Sequence, residues 1–371
     1  LKMKIIIAEA VKTEPIITNK EIKLHHALAL DSSSEKYRLI EKILQSEPCS
    51  YYLKINEYLS FYLGISTPFV FVTDWTDPRE VIGLRLESDG QYTDYPDLCF
   101  LAFYTDWDNI SDSGIESIFA HELSHMWISQ MGFDFNLSKS NKFHTCTAIT
   151  DRFMAFSEGF AEHFEIVTNE LMGINSQAET IWDHAFDLNA WLSLRDSQLR
   201  FHAAKNNRFI YHTAFPYHDD FDSYQNLHIA HITSSAFTPE KIKNGLQMLS
   251  SEGVISSFFY QVFNNEIFRN TRADEFIYKL FGVDINDIQP VFNLYIKILY
   301  TMSRVDLTKE ALLTDFITAY CGIFPEERDE MIEIFTRVTH FTTLDNEAAG
   351  KFGEMYRIGR RGNIEAVSYT H

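Results

Sequence analysis

The stretch His121-Glu122-Leu123-Ser124-His125 constrains this chain more than any other five residues in it. In an α-helix each residue turns by about 100°, so positions four apart lie above one another on one face. Two imidazoles placed this way can reach a single metal ion. Glu122 projects from the next position round, near enough to take a proton from a water held there without being a ligand. The surroundings predict a helix. Ser113-Gly-Ile-Glu116 has the S-x-x-E form of a capping box and sets a helix start just upstream. Ile115, Ile118 and Phe119, then Leu123, Met126 and Trp127, recur at helical spacing and predict burial of at least one side. The plain alternative is a surface helix with two solvated histidines. A buried apolar stripe argues against it, because an imidazole taken out of water needs a hydrogen-bonding or metal partner.

A catalytic zinc needs three protein ligands and an open position. The motif offers two. Downstream runs Phe156-Ser-Glu158-Gly-Phe-Ala-Glu162-His-Phe-Glu165, in which Phe153, Phe156, Phe160 and Phe164 form one stripe and Glu158, Glu162 and Glu165 another. This is the pattern of an amphipathic helix with carboxylates along one face. Most such faces are simply solvated. Here Gly159 follows Glu158, as a close approach of two helices requires, and only one loop separates the segment from the histidines.

His121-Glu-Leu-Ser-His125-Met-Trp127 together with Ser157-Glu158-Gly-Phe-Ala161 resembles the gluzincin zinc metallopeptidases, distantly those of aminopeptidase N and thermolysin-like type. The resemblance implies an α+β fold: a thermolysin-like catalytic domain with a small N-terminal mixed sheet and a helical active-site subdomain, followed by a helical C-terminal lobe. It implies one zinc ion held by His121, His125 and Glu158, with Glu122 as general base. Glu162, one turn on, becomes a carboxylate able to orient a ligand histidine. A competing assignment makes Glu162 the ligand, as in gluzincins with longer spacers.

The chain departs from the aminopeptidase pattern in two ways. Its spacer is longer, so an inserted loop carries His144 and Cys146 between the two site helices. No G-A-M-E-N-like exopeptidase segment precedes the motif; Leu98-Cys-Phe-Leu-Ala-Phe-Tyr104 stands there instead. The expected activity is therefore that of an endopeptidase or peptide-processing hydrolase. Two alternatives stay open: a catalytically idle gluzincin-like domain that binds a protein partner, and a zinc hydrolase of an ester, epoxide or small amide.

Amide hydrolysis also needs a donor for the developing oxyanion. His202, His212, His218, His228 and His231 cluster with Tyr211, Tyr217 and Tyr224, which favours a polar cleft wall. In the aminopeptidase N family a tyrosine begins a helix some sixty to seventy residues beyond the ligand glutamate. Tyr224 lies 66 residues beyond Glu158 and is the first candidate on that resemblance, with Tyr211 second.

A net charge of −20 disfavours nucleic acid and anionic membrane as partners and leaves a peptide or protein substrate. Cys49, Cys99, Cys146 and Cys321 are scattered, the pattern of free thiols in a reducing compartment, and the cytoplasm is the expected location. The opening apolar stretch is too short for a secretory signal, and no run approaches a membrane span.

Along the 371 residues three segments are expected: 1–108, strands and helices with an edge strand; 109–237, the helical zinc-site subdomain; 238–371, the helical C-terminal lobe. Ser33 to Gly64 reads as two helices broken near Pro48. Phe69–Val72, Val81–Leu86 and Cys99–Tyr104 read as strands, the last two joined around Asp89-Gly90. Leu98–Tyr104 is the expected edge strand, to which an extended peptide could add.

Overall fold

The computed structural model describes residues 3–17, 22–108, 110, 114–139, 144, 146, 148–173, 200–201, 203–210, 243–286 and 288–340. Among the described residues five strands run β1 (Ile5–Ile17), β2 (Lys23–Ala29), β3 (Phe69–Thr73), β4 (Arg79–Ser88) and β5 (Gln91–Ala102). The helices are α1 (Glu35–Leu44), α2 (Glu47–Leu63), α3 (Ile115–Gln130), α4 (Arg152–Leu171), α5 (Gly245–Met248), α6 (Glu252–Asn264), α7 (Glu266–Asn270), α8 (Glu275–Leu280), α9 (Pro290–Met302), α10 (Leu312–Ile323) and α11 (Arg328–Val338). The fold is mixed α+β, with its small sheet at the N-terminal end. Among the described residues no helix is long and apolar enough to cross a membrane.

The chain divides into two compact units, Leu1–Met131 with Glu275–Ile288, and Gly132–Asp274 with Gln289–His371. The first unit is built on a mixed sheet closed as a barrel in the order β1-β2-β4-β5-β3. β1 pairs antiparallel with β2 and parallel with β3; β2 lies parallel to β4, and β4 antiparallel to β5. The β4–β5 hairpin turns through Asp89 and Gly90, both at positive φ, as a two-residue turn matching strand twist requires. Ala8, Ala27, Val70, Val72, Leu84, Leu86 and Phe100 fill the barrel side of the core.

Closure corrects the expectation of an edge strand at Leu98–Tyr104. β5 has β4 on one side, and β3 on the other pairs Phe71 with Leu101 and Val72 with Ala102. The main-chain groups that an added peptide strand would use at Leu101 and Ala102 are taken up within the barrel.

The helical pair expected over Ser33 to Gly64 is present as α1 and α2, with Pro48 in the first turn of α2 and Gly64 ending it. α3 starts after Gly114, which stands in the left-handed region, so the helix begins where Ser113-Gly-Ile-Glu116 predicts. Ser113 lies outside the described residues. α3 packs on the sheet through Phe119, whose ring meets those of Phe69, Phe71 and Phe103. Trp127 is fully buried and donates from Nε1 to Asn56 Oδ1 of α2 at 2.9 Å. These contacts explain why the division of the chain falls after α3, at residues 131 and 132, rather than at 108 and 109.

The second unit is helical. Its central contact is α4 against α6. An added Cβ at Gly159 would lie 2.6 Å from Ile255 Cβ, so the backbones approach too closely for a side chain there. The sequence reading of a close approach at Gly159 holds, and α6 is the helix concerned. Phe156 and Phe160 pack edge-to-face on Phe259, and Phe164 stacks on Tyr295 of α9 at 4.9 Å between centroids. α4 thus shares a unit with α5 to α7 and α9 to α11, whereas α8 belongs to the first unit. Residues 174–199 and 341–371 lie outside the described residues.

Candidate metal centre

In the first unit, α3 carries His121, Glu122 and His125 on consecutive turns. Leu123, Met126 and Trp127 anchor the opposite side in the core, and this fixes the rotation of the helix about its axis. Ser124 donates from Oγ to the His121 carbonyl at 2.7 Å, a local bond that satisfies its buried hydroxyl. The two imidazoles meet edge to face, with ring centroids 4.8 Å apart at 75° and their Nε2 atoms 3.1 Å apart.

That separation tests the fit to a metal. Two nitrogens each about 2.0–2.1 Å from a tetrahedral zinc lie about 3.3 Å from each other. The observed pair is within a few tenths of an ångström of this. A hydrogen bond between two neutral tautomers has the same length, so the distance admits both states. Two imidazole nitrogens at this spacing beside a half-buried carboxylate, Glu122, make a donor set suited to hydrolytic zinc.

In the second unit, α4 is started by Asp151, whose side chain accepts from the Met154 N–H at 2.9 Å. The acidic stripe of the sequence is present on α4, and the structure separates its members by their partners. Glu162 is 5% exposed and receives Arg200 Nη1 on both oxygens, at 3.1 and 2.9 Å. Cys146 Sγ donates to the same carboxylate at 3.5 Å, and Arg200 also pairs with Glu165 at 3.1 Å. Glu158 is half-buried, with His144 Nε2 at 3.9 Å. His144 in turn contacts Glu252 Oε2 through Nδ1 at 2.9 Å.

Arg200, Glu252 and the placement of His144 are what sequence reasoning missed. Nothing local marks Arg200 or Glu252: each meets its partner across 38 and 108 residues of chain. The loop insertion was the only signal, and it pointed to His144 and Cys146 without saying what they touch. His163, beside Glu162, belongs to the core. It is fully buried among Phe160, Phe164 and Phe259, and burial lowers its pKa to about 3, which keeps the ring neutral. Tyr224, Tyr211 and the histidines at 202, 212, 218, 228 and 231 lie outside the described residues.

Lys243 is a further buried group near this region. Its side chain is fully buried, and its Nζ donates to the Phe209 carbonyl. Burial lowers its pKa to about 7, opposed by the nearby Cys146 and Glu252. The consequence for stability has a definite sign. Between pH 7 and 10.5 the unfolded lysine binds a proton that the folded one does not. Stability therefore rises with pH across that window, by up to about 1.4 kcal/mol per pH unit. Urea unfolding at pH 7 and pH 9.5 should show this rise in the wild type and its loss in Lys243→Met; a rise of equal size in both would refute the assignment.

Comparison of the chain with protein-family models, with curated proteins and with solved structures finds no match. The geometry and chemistry of the two half-sites therefore carry the functional reading.

Proposed function

We propose that the protein is a zinc-dependent metallopeptidase of gluzincin, thermolysin-like type, an endopeptidase or peptide-processing enzyme holding one zinc ion. His121, His125 and Glu158 would be its ligands. The observation that carries the reading is the pair of Nε2 atoms 3.1 Å apart on one face of α3, with Glu122 beside them. Choosing Glu158 over Glu162 is supported by the partners of each: the Glu162 charge is already met by Arg200 on both oxygens. When bound, zinc would supply Lewis acidity toward the peptide carbonyl and lower the pKa of water.

The chain's own residues divide the remaining work. Glu122 takes the proton of the attacking water and delivers it to the departing amine. α3, held by Trp127 and Phe119, keeps Glu122 and the histidines in fixed relation to one another. Glu162, clamped by Arg200, remains a carboxylate able to orient a ligand histidine. Tyr224 is the proposed oxyanion donor, on the resemblance alone.

Elemental analysis combined with a peptide library tests the reading. The wild type should carry one zinc per chain and cleave peptides, losing the activity to a chelator and regaining it on zinc addition. His125→Ala and Glu158→Ala should each abolish zinc retention, whereas Glu162→Ala should weaken it by about 10–100-fold. Cleavage that persists without metal, or retention lost with Glu162 and kept without Glu158, would overturn the mechanism or the ligand assignment.

A further inference from the structure

The loop between the two site helices is pinned rather than loose where it is described. The Cys146 carbonyl accepts from the Gly253 N–H at 3.1 Å and from Ser251 Oγ at 3.4 Å, and Thr150 N–H donates to the Ser250 carbonyl at 2.8 Å. A Cβ at Gly253 would collide with that carbonyl and with the Phe209 ring, so the loop sits directly on the start of α6. This contact places His144 between two carboxylates. Nδ1 lies 2.9 Å from Glu252 Oε2, whose side chain is 5% exposed, and Nε2 lies 3.9 Å from Glu158 Oε1.

We infer that His144, held by Glu252, is the positioning residue for the Glu158 carboxylate; the inference rests on Glu158 being a zinc ligand. A carboxylate that ligates through one oxygen leaves the other needing a partner, and without one the group can rotate or shift to bidentate ligation. The two nitrogens of the His144 ring face the two carboxylates, Nδ1 toward Glu252 and Nε2 toward Glu158. The Glu252 contact fixes the ring plane, because that carboxylate is buried at the first turn of α6 and cannot swing away. The Nε2 separation is an ion-pair distance, beyond a direct hydrogen bond. The inserted spacer then has a purpose: it supplies a partner for the third ligand from the ligand's own unit.

The test is zinc affinity, measured on the full chain by competition with a chromophoric chelator, with unfolding of the zinc-free protein followed in parallel. His144→Ala should bind zinc about 10–100-fold more weakly than wild type, in a zinc-free protein that still unfolds cooperatively although the loss of the Glu252 contact lowers its melting temperature. His144→Gln, which keeps a donor toward Glu158, should recover most of the loss, and kcat of zinc-saturated His144→Ala should fall less than its zinc affinity. Equal zinc affinity in wild type and His144→Ala would overturn the inference while leaving the zinc reading intact. So would a fall in kcat with affinity unchanged, which would instead mark His144 as acting on substrate. A wild type that binds no zinc is the separate failure of the underlying reading.

Discussion

Glu122→Gln should lower kcat/KM for peptide hydrolysis by about 10²–10⁴-fold while leaving zinc content and thermal unfolding unchanged. The amide has the size and polarity of the carboxylate but does not accept a proton at working pH. The loss therefore isolates proton transfer from metal binding. Stability should hold because the amide keeps the size of the carboxylate at a half-buried position, and the Phe119 and Trp127 contacts that anchor the helix are left in place. Steady-state kinetics on a cleaved peptide, with metal analysis of the same sample, give the answer. Equal rates in wild type and variant would refute the general-base role. A variant that has also lost its zinc would show that Glu122 supports the site rather than working in it.

The second large effect concerns stability. Lys297 and Glu327 are 0% and 1% exposed in their side chains and lie 2.6 Å apart in the second unit. Burial lowers the Lys297 pKa and raises that of Glu327, and in each case the partner's charge opposes the shift. Tyr320 donates from its hydroxyl to Glu327 at 2.6 Å, and Lys297 also donates to the Thr271 carbonyl at 2.9 Å. Removing one charge strands the other in a low-dielectric interior. Lys297→Met or Glu327→Gln alone should each cost about 3–5 kcal/mol. The double variant should cost much less than the sum, since glutamine still accepts from Tyr320 and no net charge remains buried. A double-mutant cycle by urea unfolding measures this, and additivity within about 0.5 kcal/mol would show that the two charges are not coupled.

The sequence made local structure legible where a signal is contained in a few residues. Pro48 and Gly64 bound α2, Asp89-Gly90 turns the hairpin, and the apolar stripe orients α3. The helix start set by Ser113-Gly-Ile-Glu116 agrees with α3 beginning at Ile115, with Gly114 in the left-handed region ahead of it. Leu98–Tyr104 reads as a strand correctly, but whether a strand is an edge depends on what lies beside it. Here β3, from thirty residues earlier, closes the barrel against it.

The candidate site divides in the same way. His121, Glu122 and His125 are determined by sequence alone, because helical geometry fixes the relation of residues one and four apart whatever surrounds them. The same holds for the spacing of Glu158, Glu162 and Glu165 along α4. Tertiary structure decided what distinguishes those three carboxylates: Arg200 reaches Glu162 and Glu165, while His144, in contact with Glu252, faces Glu158. Such pairings join residues far apart in the chain, and periodicity carries no information about them. The close approach of α4 and α6 at Gly159 brings Glu252 alongside α4, and the 144–158 and 162–200 pairs likewise exist only in the folded unit.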